Sequence, residues 1–444
     1  MKTLVIVGNG FDLAHELPTK YPDFLEFCKR VFPVYENAEG RGVHLYQQEY
    51  LFDWDFNKEI KEKLESAYSS RRKITTKENV SQIEPSDLKL NEMYTLIKDN
   101  IWIQYFLPIY TDRKKNGKDG WIDFEGEISE VIQSLDADMH GLSQIYNIED
   151  IVYNLSNNFL EEIYADYIDA AQPINPINNG FSEGVSFKKI RDRLLSDLNR
   201  LIRGFEIYLA EYIEKIEIRV KSPDIDKLEI NKVLSFNYTD TFSRQYKIPT
   251  RKEIDFFEFI HGKADINNTI ESNNMVLGID EYLPDDRKNK EVEFVAFKKY
   301  YQRIYKGTGG EYKKWIEEIH RGYMASLDAE ANCRRFLEYS MMRNDLNEAG
   351  KWLVKSFARR DDRNSNKHNL YIFGHSLDIT DKDVLKDLIL NDNVYTTIFY
   401  FNKDVMRQQI ANLVKVIGQD ELIRRTGEST KTIEFKQQQD MVDI

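Results

Sequence analysis

The stretch Leu4-Val5-Ile6-Val7-Gly8-Asn9-Gly10-Phe11-Asp12 decides the fold. Four apolar residues, three of them β-branched, read as a buried strand. The strand runs into Gly-Asn-Gly, where residues lacking a Cβ let the backbone approach a ligand closely. Ala14 to Pro18 then leads into a second apolar-periodic segment, Tyr21 to Val31. A strand, a glycine turn and a helix in that order can present free N–H groups and a helix dipole to phosphate. A full dinucleotide fingerprint also needs a third glycine, and His15 and Glu16 stand in that region. The turn alone therefore also fits a tight strand-to-helix connection that binds nothing.

At 444 residues the chain exceeds the size of one core, so two structural units are expected. An apolar fraction of 41% with 13% aromatics is ample for burial, and 31% charged residues give a well-solvated surface. No apolar run approaches the ~18 residues that span a bilayer, and the N-terminal run lacks a signal-peptide cleavage site. Cys28 and Cys333 are too few for a four-cysteine zinc site. These features predict a cytoplasmic protein without a membrane partner and without a metal. A net charge of -13 argues against a nucleic-acid partner, which needs a basic footprint. The basic clusters Arg71-Arg72-Lys73, Arg113-Lys114-Lys115 and Arg359-Arg360 read as solvated faces or loops.

Strand-like runs fall at Leu4–Val7 and then in the C-terminal half, at Val233–Phe236, Phe256–Ile260, Met275–Leu277, Leu370–Phe373 and Val394–Phe401. Between about 45 and 228 the pattern is helical, with apolar spacing of three and four in Val131–Leu135, Ile151–Tyr167 and Val185–Ile218. Pro173, Pro176 and Asn178-Asn179-Gly180 mark a loop there. The expected architecture is an α/β, mostly parallel sheet from residues 1–44 and 229–425, with a large helical insertion at 45–228. A second helical segment at 294–357 lies within it, and a polar, loosely ordered tail occupies 426–444. The basic and aromatic run Lys298 to Tyr305 reads as a half-buried helix or as a surface that stacks a base.

Several strands end in polar residues suited to a ligand: Ser235-Phe236-Asn237-Tyr238-Thr239-Asp240, His261-Gly262-Lys263, Gly278-Ile279-Asp280 and Gly374-His375-Ser376-Leu377-Asp378. Each is weak alone. With Gly8–Asp12 they make five edges that could meet in one crevice beyond the carboxyl ends of parallel strands.

The blocks Gly-Asn-Gly-Phe-Asp-Leu-Ala-His-x-Leu-Pro-Thr-x-Tyr at 8–21, Trp121-Ile122-Asp123-Phe124-Glu125, Ser235 to Thr241, His261-Gly262, Leu277 to Asp280 and Gly374 to Leu377 resemble the AbiH family of bacterial proteins, linked to abortive phage infection. Glu16 departs from the glycine usual in that family. More distantly, the blocks are similar to sirtuin-like NAD-binding domains, which implies a Rossmann-like fold. The sirtuin glycine opening aligns with Gly8 to Asp12 and then Glu16-Leu17-Pro18, its Asn-Ile-Asp with Asn237-Tyr238-Thr239, its catalytic His-Gly with His261-Gly262, and its Gly-Thr-Ser with Gly374-His375-Ser376. Thr239 stands where that motif has an acid, and the deacylase zinc ribbon is missing. The resemblance thus implies antiphage defence by hydrolysis of NAD to nicotinamide and ADP-ribose, silent until triggered. Asn237 and His261 would be catalytic. Gly8, Asn9, Gly10, Phe11, Asp12, Pro18, Tyr238, Thr239, Gly262, Gly278, Gly374, His375 and Ser376 would hold the nucleotide, with the pyrophosphate on the Gly8–Phe11 amides. The helical insertion would serve as sensor for a phage-derived trigger or as a homo-oligomer contact. Two alternatives stay open: a nucleotide-binding sensor without turnover, and a nuclease holding Mg²⁺ on Asp12, Asp240, Asp280 and Asp378.

Overall fold

The computed structural model describes residues 2–36, 57–74, 85–116, 122–139, 159–160, 163, 187–246, 256–284, 287, 290–343, 347–353 and 367–444. Trp121, the 173–180 loop, Arg359-Arg360 and most of the 151–167 helix expected from sequence lie outside the described residues. The chain divides into two compact units, Met1–Leu17 with Glu217–Gly262 and Thr308–Ile444, and Pro18–Ile216 with Lys263–Gly307.

The strands, in chain order, are β1 (Lys2–Val7), β2 (Val220–Lys221), β3 (Lys232–Ser235), β4 (Phe256–Phe259), β5 (His368–Phe373), β6 (Val394–Tyr400), β7 (Ile433–Gln437) and β8 (Val442–Asp443). All fall in the first unit. Six of them form one sheet in the order β4-β3-β1-β5-β6-β7, every pair parallel. Numbered within that sheet, the order is 3-2-1-4-5-6, the Rossmann-like arrangement whose strand sequence reverses between its first and fourth members. Here the reversal lies between β1 and β5.

Both faces are covered, as a parallel sheet requires. Because successive side chains of a strand point oppositely, Leu4 and Ile6 join one core with Leu234, Leu370, Ile372, Ile398 and the apolar face of the Lys382–Ile389 helix. Val5 and Val7 join the other with Phe11, Val233, Phe242, Tyr246 and Phe373. This is why β1 reads as a continuous apolar run.

Two expectations are corrected. Met275–Leu277 is not a strand; only an isolated bridge, Ile279 to Lys298, forms nearby. Residues 426–444 are not loosely ordered throughout, since β7 pairs with β6 and β8 pairs antiparallel with β2. Asp224 fixes the segment between them by accepting from the Gln439 amide at 2.8 Å and from its side chain at 2.6 Å.

The second unit contains the helices Tyr21–Glu36, Lys58–Ile74, Pro85–Ile97, Ile101–Lys115, Phe124–Met139 and Phe187–Ile207, with a largely irregular segment after Lys263. Phe124 stacks on Tyr21 at 4.2 Å and on Phe106 at 4.3 Å, and Phe24 meets Phe205 edge-on at 5.1 Å. The fully buried Arg203 pairs with Glu206 at 2.6 Å and Glu92 at 2.9 Å, and donates to the Asp265 and Ile266 carbonyls. Glu206 in turn accepts from Asp265, Asn268 and Asn273, which binds the 263–275 segment to the long helix. The Lys298 to Tyr305 run includes the half-buried helix Lys299–Lys306, with Lys298 on Glu281 and Lys299 on Glu125. Arg113 and Lys114 are likewise engaged, with Glu127 and Glu26.

Candidate active site

Four of the polar edges anticipated from sequence belong to the first unit and follow β1, β3, β4 and β5. Register sets them level: Val7 pairs with Ser235 and with Phe373, and Ser235 pairs with Phe259. Gly278 and Pro18 lie in the second unit. Gly278 follows no strand; a Cβ there would stand 2.6 Å from the Phe297 carbonyl oxygen, so its glycine serves a close backbone approach. The Pro18 carbonyl accepts from the Tyr208 hydroxyl at 2.7 Å.

The glycine turn is built differently from the expected phosphate cradle. Gly8 donates to the Phe373 carbonyl at 3.1 Å, Gly10 to Gly374 at 2.8 Å, and Phe11 to Gly8 at 2.8 Å. The amides of Gly8, Gly10 and Phe11, read from sequence as donors for a pyrophosphate, are thus engaged within the chain. A Cβ on Gly8 or Gly10 would come within 2.8 Å of the Gly374–His375 backbone. The glycines let the loops after β1 and β5 pack together at the point where the strand order reverses. His15, in the region of the absent third glycine, sits 2.7 Å from the Phe11 carbonyl and 2.9 Å from the Tyr246 hydroxyl, and burial lowers its pKa.

Beside this turn Asp12 is 1% exposed. The Thr239 hydroxyl donates to its Oδ2 at 2.5 Å, and Thr241 donates to Thr239 at 3.1 Å. Burial pushes the Asp12 carboxyl up to about 6, against the opposing pull of Thr239, Thr241 and Asn237 and the more distant charge of Arg244. Asn237, 5% exposed, donates its amide to Ser235 Oγ at 3.2 Å. Oδ1 of Asp12 and Oδ1 of Asn237 are buried acceptors with no hydrogen-bond partner among the described residues. Such atoms are costly unless something donates to them.

Next to it, the two histidines singled out from sequence share one carboxylate. His261 Nε2 lies 3.0 Å from Asp381 Oδ1, and His375 Nε2 lies 3.4 Å from Asp381 Oδ2. Phe236 meets both rings edge-on, at 5.4 Å for His261 and 4.4 Å for His375, and the Tyr238 ring is 6.4 Å from His261. The Leu377 amide donates to His375 Nδ1 at 2.9 Å, which leaves the ring proton on Nε2. That turn holds Leu377 at φ +58, a conformation unfavourable for a residue with a Cβ, and Gly374 at φ +69. Gly262 also has positive φ. The Ser376 carbonyl accepts from Asn412 at 3.0 Å, and the His375 carbonyl from Gln409 at 3.0 Å.

Asp381 was not anticipated. It follows His375 by six positions, beyond the strand-end segment, and only its place opposite His261 gives it significance. Asp12, Asp240, Asp280 and Asp378 do not form a metal-binding cluster; among the described residues no group of three or more such side chains does. No helix among them is long and apolar enough to cross a membrane.

The chain matches the family model described as "Bacteriophage abortive infection AbiH" over residues 4–402. No curated protein and no solved structure matched it.

Proposed function

Since this chain belongs to the AbiH family, which gives it a role in abortive infection as a defence against phage, we propose that it binds NAD at the carboxyl edge of its sheet and, when triggered, hydrolyses it. The observation that carries this reading is the juxtaposition of Asn237, Asp12 and the His261–Asp381–His375 group beyond the reversal of strand order.

Breaking the N-glycosidic bond of NAD passes through an oxocarbenium-like state and demands little covalent machinery. A base for the incoming water, or for a ribose hydroxyl, is enough when the ribose is held in place. With Nε2 of His261 donating to Asp381, Nδ1 is the atom that accepts the proton. The unpartnered oxygens of Asp12 and Asn237 call for hydroxyl donors, which a ribose supplies. An ionised Asp12 would repel a phosphate, and the amides of Gly8, Gly10 and Phe11 are occupied. In this reading the glycine turn is the packed floor of the site, and the sugar rather than the pyrophosphate faces Asp12. Gly262, Gly374, His375, Ser376, Tyr238 and Thr239 shape its walls.

Asp12, Asn237, His261 and His375 are each under 10% exposed. An enzyme that destroys NAD harms its own host, so burial of its reactive groups before the trigger is in keeping with the reading. The same burial favours a second one, a nucleotide sensor without turnover. Calorimetric titration with ADP-ribose, paired with an assay of nicotinamide release, separates the two. Binding with turnover supports hydrolysis, binding alone supports the sensor, and neither, even in extracts of infected cells, sinks both.

A further inference from the structure

Asp12 and Asn237 come from neighbouring strands. Asp12 lies in the short helix Asn9–Ala14 after β1, and Asn237 is the second residue beyond β3. The ladder between those strands reaches Phe236, whose amide donates to the Val7 carbonyl at 2.8 Å. Ser235, the last residue of β3, then holds the Asn237 main chain twice. Its Oγ accepts from the Asn237 amide and donates to the Asn237 carbonyl, each at 3.2 Å. A threonine hydroxyl has one proton to donate. Thr241 gives its proton to Thr239, and Thr239 gives its own to Asp12 Oδ2. This chain of hydroxyls satisfies one carboxylate oxygen and leaves Oδ1 facing elsewhere. The Asn237 side chain is close enough to draw the Asp12 pKa down, so its own Oδ1 belongs to the same corner of the site. Two buried acceptors, each without a hydrogen-bond partner among the described residues, therefore stand together.

We propose that Asp12 and Asn237 are specificity-determining residues that read the vicinal diol of the ribose bearing the nicotinamide, so that the site accepts ribosyl substrates and rejects deoxyribosyl ones. This rests on the reading of this edge as the NAD site and narrows it. A vicinal diol offers two O–H donors on adjacent ring carbons, already held in one geometry. Phosphate groups offer acceptors, which two acceptors cannot use. A cationic ligand would meet the charge of Arg244, which already acts on Asp12. The reacting ribose is the one assigned because Asn237 and His261 follow the paired strands β3 and β4, and the proposed base works at that sugar. Burial sharpens the discrimination. An acceptor shut away from water stays unpaired when the ligand lacks the matching hydroxyl, and that penalty falls on the analogue alone.

Equilibrium binding to the full chain, with and without extract of infected cells, tests this with three ligands. They are ADP-ribose, its analogue lacking a hydroxyl on the terminal ribose, and its analogue lacking one on the adenosine ribose. Any opening needed to admit the sugar costs the same for each, so the affinity ratios report the acceptors alone. The terminal deoxy analogue should bind at least about 30-fold more weakly than ADP-ribose, and the adenosine-side analogue within about threefold. In Asp12→Asn one atom still accepts from Thr239, while the ligand-facing oxygen becomes an amide. The ratio between ADP-ribose and the terminal deoxy analogue should then fall about tenfold. A merely structural Asp12 would weaken both ligands alike and leave that ratio unchanged, which overturns the proposal. Equal wild-type affinity for ADP-ribose and the terminal deoxy analogue also overturns it, with no variant needed, and leaves the NAD reading standing. A loss confined to the adenosine-side analogue overturns the assignment to the reacting ribose. Failure of all three to bind under either condition overturns the NAD reading and this proposal with it.

Discussion

Gly10 donates its amide to the carbonyl of Gly374 at 2.8 Å, joining the loop after the first strand to the loop after the fifth. At Gly374 a Cβ would stand 2.1 Å from the Phe11 nitrogen and 2.4 Å from the Gly10 carbonyl carbon, with φ at +69. Both obstacles are backbone, which no side-chain rotation relieves. Gly374→Ala should therefore cost at least about 2 kcal/mol of stability, combining strain with overpacking. Urea unfolding that keeps the wild-type midpoint would show that the loops are not joined as described.

Glu16 presents the opposite case. It is exposed and holds φ at +61, the left-handed region where glycine is at ease and a Cβ is crowded. Glu16 tolerates the turn under strain. Relief of that strain outweighs the extra chain entropy of glycine, so Glu16→Gly should raise stability by up to about 1 kcal/mol. A lower denaturation midpoint for the variant would count against the assigned backbone conformation.

The Asp12 carboxyl titrates at about 6 in the folded chain, against 3.8 for the ordinary group, because it is buried. A raised pKa means that the folded state holds the proton more tightly than the unfolded state. The resulting stability is fully present below the unfolded value and is lost as pH rises through the folded one. The loss falls between about pH 4 and pH 6 and is on the order of 3 kcal/mol by linkage. Asp12→Asn removes it, so the difference in unfolding free energy between variant and wild type should change across that window and level off above it. A difference that is flat from pH 4 to 7 would mean that Asp12 titrates normally.

Asp224 is fully buried and accepts both the main-chain and side-chain nitrogens of Gln439. Asp224→Ala leaves those donors without their acceptor and should cost about 1–3 kcal/mol. Hydrogen exchange at Gln439 and at Val442–Asp443 should accelerate before exchange in the central strands does. Equal protection in variant and wild type would release Asp224 from this role.

Much of the sheet was legible because burial on both faces makes β1, β3, β5 and β6 read as apolar runs, and that pattern survives without any knowledge of neighbours. The segment Ile433-Glu434-Phe435-Lys436-Gln437 was missed because an edge strand alternates polar residues outward and resembles a solvated tail. Met275-Val276-Leu277 misled for the converse reason. Its apolar residues are buried in the helical unit, where Gln302 binds the Leu277 backbone from both sides and takes the place of a strand partner. At the site, Asn237, His261 and His375 could be chosen from their positions after strands. Asp381 could not, since its importance comes from loops that meet over two intervening strand ends. The glycine turn was legible, whereas the bonding of its Gly8, Gly10 and Phe11 amides within the chain was not. Glycine signals close approach of something, and sequence does not say whether that is a phosphate or the backbone of Gly374.

The most direct test follows NAD itself. In phage-infected cells carrying the wild-type chain, intracellular NAD should fall as nicotinamide and ADP-ribose rise, and it should hold steady in cells carrying Asn237→Ala or His261→Ala at equal protein level. An NAD pool that stays level with the wild type, or that drops equally with either variant, would contradict the account.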